Sequence, residues 1–269
     1  DMNVPWWAEM PEPAQRAMAN MCFNLGWLRL SRFENMLTAL EAGYRHIDTA
    51  AAERERALRS PAAFDEWRTR VQQQVGDMLG LGDFQTQPLN ARLVSTHDRH
   101  GVIIENVLFE SVDGWQVNAT VFRPRTEGPY PAIVVPVGHS SKTNLPYQLP
   151  CQVFARAGYL AITFDPPGQA GEKQQGNDHF TDGVRCYAVG QSSNRYFIAD
   201  ALRAMDYLDA RDDVRSELGY AMTGVSGGGH TTMWTALLDH RVRVAAPVCC
   251  ISPLASHPQI RAATPKSAS

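Results

Sequence analysis

The sequence predicts an α/β fold in which a mostly parallel, doubly wound sheet follows a helical N-terminal region. Three observations carry this: helical apolar spacing before residue 85, a change to period two near residue 102, and short unbroken apolar runs alternating with helical stripes beyond residue 130. The last pattern is that of strands covered by helices on both faces, which have no solvent side on which to place polar residues. The expected division is a helical layer over residues 1–85 and an α/β core over residues 86–269.

The first helix is read from Phe33, Met36, Leu37, Leu40, Tyr44 and Ile47, which share one helical face behind a capping box of Ser31 and Glu34. A second starts at Ser60-Pro61, a favoured N-cap and first-turn pair, carries Phe64, Trp67, Val71, Val75 and Met78, and stops at Gly80. Residues 102–109 and 115–121 alternate apolar with polar and flank Asp113-Gly114, so they make an antiparallel hairpin, the first two strands. Residues 132–137 and 159–164 are the third and fourth strands, with a helix between them around residues 149–157. A long polar loop over residues 171–194 comes next, then Ile198, Ala201, Leu202, Met205 and Leu208, the apolar stripe of a crossover helix. Residues 218–225 form the fifth strand, 230–238 a helix, and 242–248 a sixth, buried strand.

Between the fifth strand and its helix lies Gly224-Val225-Ser226-Gly227-Gly228-Gly229-His230, which fits the G-x-S-x-G pattern of a nucleophile elbow. With a strand before and a helix after, the turn is so sharp that Gly224 and Gly228 must lack side chains. Ser226 then stands at the carboxyl edge of the sheet, where ligand sites of α/β folds lie, and is the candidate nucleophile. Outside that context the same letters are only a glycine-rich turn.

Charge and composition narrow the partners. A net charge of -3 without any block of Lys or Arg argues against nucleic acid and against an anionic membrane surface. No apolar run approaches the roughly 18 residues of a bilayer span, and Asp1-Met2-Asn3-Val4-Pro5 does not read as a leader. Cys22, Cys151, Cys186, Cys249 and Cys250 are odd in number and lack zinc spacing. Inert, buried thiols are expected rather than disulfides, which leans towards a reducing, cytoplasmic compartment.

Four phrases taken together resemble one family. Gly138-His139-Ser140-Ser141-Lys142 follows the third strand, and Asp165-Pro166-Pro167-Gly168-Gln169-Ala170-Gly171-Glu172-Lys173 follows the fourth. The elbow follows the fifth, and Ala245-Ala246-Pro247-Val248-Cys249 closes the sixth. Over residues 89–253 the chain resembles the acetylxylan-esterase-like and related carboxylesterases of the α/β-hydrolase superfamily. The resemblance implies the α/β-hydrolase fold, a nucleophilic Ser226 that carries an acyl-enzyme, and an oxyanion hole made by the backbone N–H groups of Gly227 and His139. It implies a small-molecule ester as substrate, acetylated carbohydrate being one option, and neither metal nor organic cofactor. Where the family has Gly-Gln-Gly-Glu-Arg, this chain has an additional Ala170 and places Lys173 at the arginine.

A serine of this kind needs a histidine to take its proton and a carboxylate to orient that histidine, in the chain order serine, acid, histidine. Past Asp239 the sequence holds no Asp or Glu. Asp239 and His240 close the helix that leaves the elbow, His230 lies a turn down that helix, and His257 belongs to a Pro/Ser/Ala-rich tail. The expectation is a core that stops before a seventh and eighth strand and lacks the usual acid and base.

Three functions stay open at this point: a serine carboxylesterase, a non-catalytic hydrolase-fold binding protein, and an aldo-keto reductase using NADPH. The last comes from Gly43-Tyr44-Arg45-His46-Ile47-Asp48-Thr49-Ala50, and it requires a barrel strand where the spacing is helical. A homo-oligomer is open as well. His97-Asp98-x-His100 is read as solvated side chains on a polar turn rather than as metal ligands.

Overall fold

The structure, a computed structural model, describes residues 49–50, 52–82, 87–99, 101–112, 114–168 and 179–250. The predicted helix over 31–47, the reductase-like residues 43–48, Ala170 and His257 lie outside them. The chain divides into two compact units, Asp1–Arg70 with Ser252–Ser269, and Val71–Ile251.

In the first unit, Ser60 Oγ accepts the Ala63 N–H at 3.2 Å, capping the start of helix α1 (Pro61–Leu79) as the sequence predicts, and the residues of that helix from Val71 on belong to the second unit. Arg70 pairs with Glu53 at 2.8 Å.

The second unit is built on a seven-stranded sheet: β1 (Arg92–Arg99), β2 (Val102–Glu110), β3 (Gln116–Arg123), β4 (Ala132–Pro136), β5 (Leu160–Phe164), β6 (Tyr220–Val225) and β7 (Val242–Val248). The spatial order is β1-β2-β3-β5-β4-β6-β7. β2 pairs antiparallel with β1 and β3, and β3 with β5; β5, β4, β6 and β7 run parallel. Helices α2 (Leu145–Arg156), α3 (His179–Ala188), α4 (Asn194–Asp209) and α5 (Gly227–Leu238) fill the connections. This open sheet of seven described strands is not the closed barrel that a reductase reading needs.

The core lies on both faces because strand side chains alternate. Val134, Ile162, Leu160 and Met222 pack with Ile198, Met205 and Leu208 of α4, joined by Val75 and Leu79 of α1. On the opposite face Ile133, Val135 and Val137 pack with Tyr147, Cys151 and Ala155 of α2. Strands buried on both sides cannot alternate in polarity, so β4 and β5 read as continuous apolar runs.

Four expectations need correction. Arg92–Arg99 is polar and exposed almost throughout, and it is a strand only because it pairs with β2 from Arg99↔Val102 to Arg92↔Leu108. His97 and Asp98 are therefore on a strand and not on a turn. The loop predicted over residues 171–194 carries helix α3. Helix α5 begins at Gly227, three residues before its apolar stripe, because sheet packing overrides the low helix propensity of three glycines. β7 is exposed along nearly its whole length, Val244 to 63%, since it is the outermost strand of the described sheet.

Candidate active site

Strands β4 and β6 are parallel neighbours, but the chain leaves β4 for β5 on one side and β6 for β7 on the other. Two loops that diverge in this way open a crevice at the carboxyl ends of the strands. Those loops are the phrase Gly138 to Lys142 after β4 and the elbow after β6, so the topology brings together two motifs that lie far apart in sequence.

At the elbow Ser226 has φ 59° and ψ -118°, a conformation that costs an L residue about 1–3 kcal/mol. Its N–H donates to Val248 O of β7 and its carbonyl accepts the His230 N–H of α5, both at 2.9 Å, which holds the turn from β6 to α5. The residue is exposed to solvent. A Cβ on Gly228 would lie 2.2 Å from Pro136 O, and one on Gly224 2.6 Å from the Gly228 carbonyl. Both glycines named from the motif are thus required by contact between backbones.

Gly138 meets the elbow directly: a Cβ there would lie 2.4 Å from Val225 O and 3.1 Å from the Gly227 nitrogen. His139, Asn194, Phe197, Gly227, His230 and Thr231 border a cavity of about 190 Å³. The structure therefore places Ser226, Gly227 and His139 at one end of the sheet, with the last two on a shared cavity.

The alternative bases fare differently. The Trp234 indole N–H donates to His230 Nε2 at 2.7 Å, and burial holds His230 below its ordinary pKa of 6.5. An indole can only donate, so the neutral imidazole carries its proton on Nδ1 and its free lone pair is taken by Trp234. Asp239 sits at the foot of β7, where Arg241 Nη2 reaches it at 2.7 Å, and His240 lines a charged cleft beside it. That is the amino end of the strand, away from the elbow, as its sequence position implies. Among the described residues no side chain hydrogen-bonds Ser226 Oγ.

The remaining candidates are structural. Asp98 accepts Arg125 Nε at 2.9 Å, and His97 Nε2 lies 3.1 Å from Ser95 Oγ. The thiol of buried Cys151 is pushed up to about 12 by desolvation, as an inert thiol should be. Cys249 departs from that expectation, being exposed with φ 53°, because it leaves β7 in a left-handed turn.

Sequence reasoning missed the supports of the β4 loop. Lys142 and Asp165 form an ion pair of 2.5 Å with side chains only 7% and 3% exposed. Tyr147 Oη accepts the Gly138 N–H at 2.9 Å. The signal that could have found the pair was an Asp directly after β5 and a Lys in the loop that leaves β4, two parallel strands whose carboxyl ends share one side of the sheet.

The family described as acetyl xylan esterase (AXE1) matches residues 44–262 of the chain. YtaP of Bacillus subtilis, named as a hydrolase, is 26% identical over 187 residues, covering 63% of this chain and 60% of that protein. The fold is similar to methylesterase BT1017, with TM-score 0.63 and 22% identity over 76% of this chain and 46% of that one. An acetyl xylan esterase from Paenibacillus sp. R4 superposes with TM-score 0.50 and 24% identity, over 66% of this chain and 57% of that one. The chain thus spans less than two thirds of the length of each. These likenesses establish the α/β-hydrolase fold. Among the described residues no helix is long and apolar enough to cross a membrane.

Proposed function

The chain belongs to the acetyl xylan esterase family, and from that premise we propose that it is a serine carboxylic-ester hydrolase working through an acyl-enzyme on Ser226. The observation that carries the reading is the strained, solvent-facing Ser226 at φ 59°, set between a parallel strand and a helix against the β4 loop. Such strain in a non-glycine residue persists only where its surroundings over-determine it, and it concentrates at functional sites.

In this reading Ser226 Oγ attacks the ester carbonyl and the carbonyl oxygen becomes an alkoxide. In the same reading the backbone N–H groups of Gly227 and His139 receive that charge, and the loss of one such donor costs about 10² to 10³ in rate. The alcohol departs, and water then releases the acyl group from the serine. The cavity of about 190 Å³ suits a small acyl group, and acetylated carbohydrate is the substrate option that the family name supports. The proton of Ser226 must pass to a base, and His230 is committed to Trp234. That last observation favours a second reading, a hydrolase-fold module that keeps its cavity for binding.

Labelling with a fluorophosphonate, together with turnover of p-nitrophenyl acetate, separates the two. An esterase gives an adduct at Ser226 and turnover that both vanish in Ser226→Ala. A folded chain that gives neither favours the binding module.

A further inference from the structure

We propose that Lys142 and Asp165 are positioning residues for the oxyanion donors: their buried ion pair holds the β4 loop so that the His139 N–H stays in register with that of Gly227. The inference rests on the esterase reading of Ser226 and gives a role to two residues that the sequence phrases contain without one.

Asp165 directly follows β5 and is tied back to the sheet, its N–H donating to Asn118 O at 3.1 Å. From there one carboxylate receives three donors out of two consecutive residues of the neighbouring loop. Lys142 N–H reaches Oδ1 at 2.8 Å, Ser141 Oγ reaches the same oxygen at 3.1 Å, and Lys142 Nζ reaches Oδ2 at 2.5 Å. The Lys142 carbonyl in turn accepts Gln148 Nε2 of α2 at 2.7 Å. At the other end of the loop the Gly138 N–H is held by Tyr147 Oη, also of α2. His139 lies between these two clamps, one residue from Gly138 and two from Ser141.

Stability alone does not call for a charged clamp. A buried ion pair must offset the desolvation of both charges, and apolar pairs of similar volume commonly hold a fold as well. What an apolar pair cannot do is accept a backbone N–H, and Asp165 accepts that of Lys142. The carboxylate therefore sets the orientation of the peptide groups in the loop, whereas Lys142 neutralises a charge that would otherwise lie unpaired at the sheet edge where the oxyanion forms. Misplacing a catalytic donor by about 1 Å is enough to cost about 10²-fold in rate.

The test uses the full chain and the double variant Lys142→Met/Asp165→Leu, which removes both charges and leaves neither buried alone. The expected result is a thermal midpoint lowered by a few degrees, because the buried Lys142 N–H loses its acceptor, with KM for p-nitrophenyl acetate within about twofold and kcat lower by about 10²-fold. A kcat within about twofold of that of the unsubstituted protein would overturn the proposal, since the pair would then serve the fold only. Ser141→Ala covers the case in which the double variant does not fold: it removes one of the three bonds, and about a threefold loss of kcat at unchanged midpoint is expected. An unchanged kcat in Ser141→Ala overturns the positioning role. Absence of Ser226-dependent turnover in the unsubstituted protein overturns the esterase reading and this inference with it, whereas turnover indifferent to all these substitutions overturns this inference alone.

Discussion

At Ser226 and His230 the residue types were visible in the sequence, but their chemical states were not. A G-x-S-x-G string names a serine; the φ of 59° that distinguishes an elbow from a glycine-rich turn comes from the packing of β4, β6 and α5 around it. His230 shows the same division. Its position four residues past Ser226 placed it down the helix, while the bond from Trp234, which removes it as a base, depends on two rotamers in the folded protein. That environment has a measurable consequence. Burial depresses the His230 pKa, so the folded protein resists a proton that the unfolded chain accepts near 6.5. The stability contributed by the neutral ring is fully present above that value and is lost as pH falls through it towards the lower folded pKa. Urea unfolding at pH 7.5 and 5.0 should therefore show a smaller loss of stability in His230→Gln, which keeps an acceptor for Trp234 but cannot titrate. An identical loss in both proteins would mean that His230 is not the responsible group.

Among elements, legibility followed burial. β4 and β5 carry uninterrupted apolar runs and were read almost to the residue. β1 was missed because an exposed polar edge strand has no periodic signature and is defined by its hydrogen bonds to β2. Helix α3 was hidden in a polar, glycine-bearing stretch for a similar reason. The elbow depends on contact between three elements, β4, β6 and α5, with no room for a side chain at their crossing. Gly228→Ala puts a methyl group 2.2 Å from Pro136 O, 2.9 Å from Pro136 C and 3.2 Å from Val137 C, all of them backbone atoms. Overpacking of this kind costs about 3 kcal/mol, and here neither neighbour has a rotamer to change. The expected outcome is a clear fall in unfolding midpoint with loss of Ser226 labelling. A variant of unchanged stability would show that strand and helix are less tightly apposed than the structure has them.

For the molecule as a whole, the sheet carries the fold and the site is added at one edge of it. Ile162 is fully buried in β5, paired in register with Val121 of β3 on one side and Val134 of β4 on the other. Ile162→Ala leaves a cavity in the centre of the sheet and should cost about 2–5 kcal/mol. Denaturant unfolding is expected to show a lower midpoint with an unchanged m-value, because the surface exposed on unfolding is the same. A change in m instead would indicate that the sheet does not unfold as one unit. The distribution of charge agrees with this architecture: the cluster of Asp206, Asp239 and Arg241 lies at the amino ends of the strands and braces α4 against β7.

The sequence by itself determined the α/β class, the succession of apolar strands and helices along the chain, the elbow and the identity of its serine. These are properties of local pattern: apolar period, turn residues, and glycine where a side chain cannot fit. Only the tertiary structure decided that the β4 loop lies against Gly227, that Lys142 and Asp165 meet, that Trp234 occupies His230, and that Cys249 is exposed. Each of these depends on strand order, β5 beside β4 and β4 beside β6, and strand order is set by long-range packing on both faces of the sheet, which no window of the sequence contains.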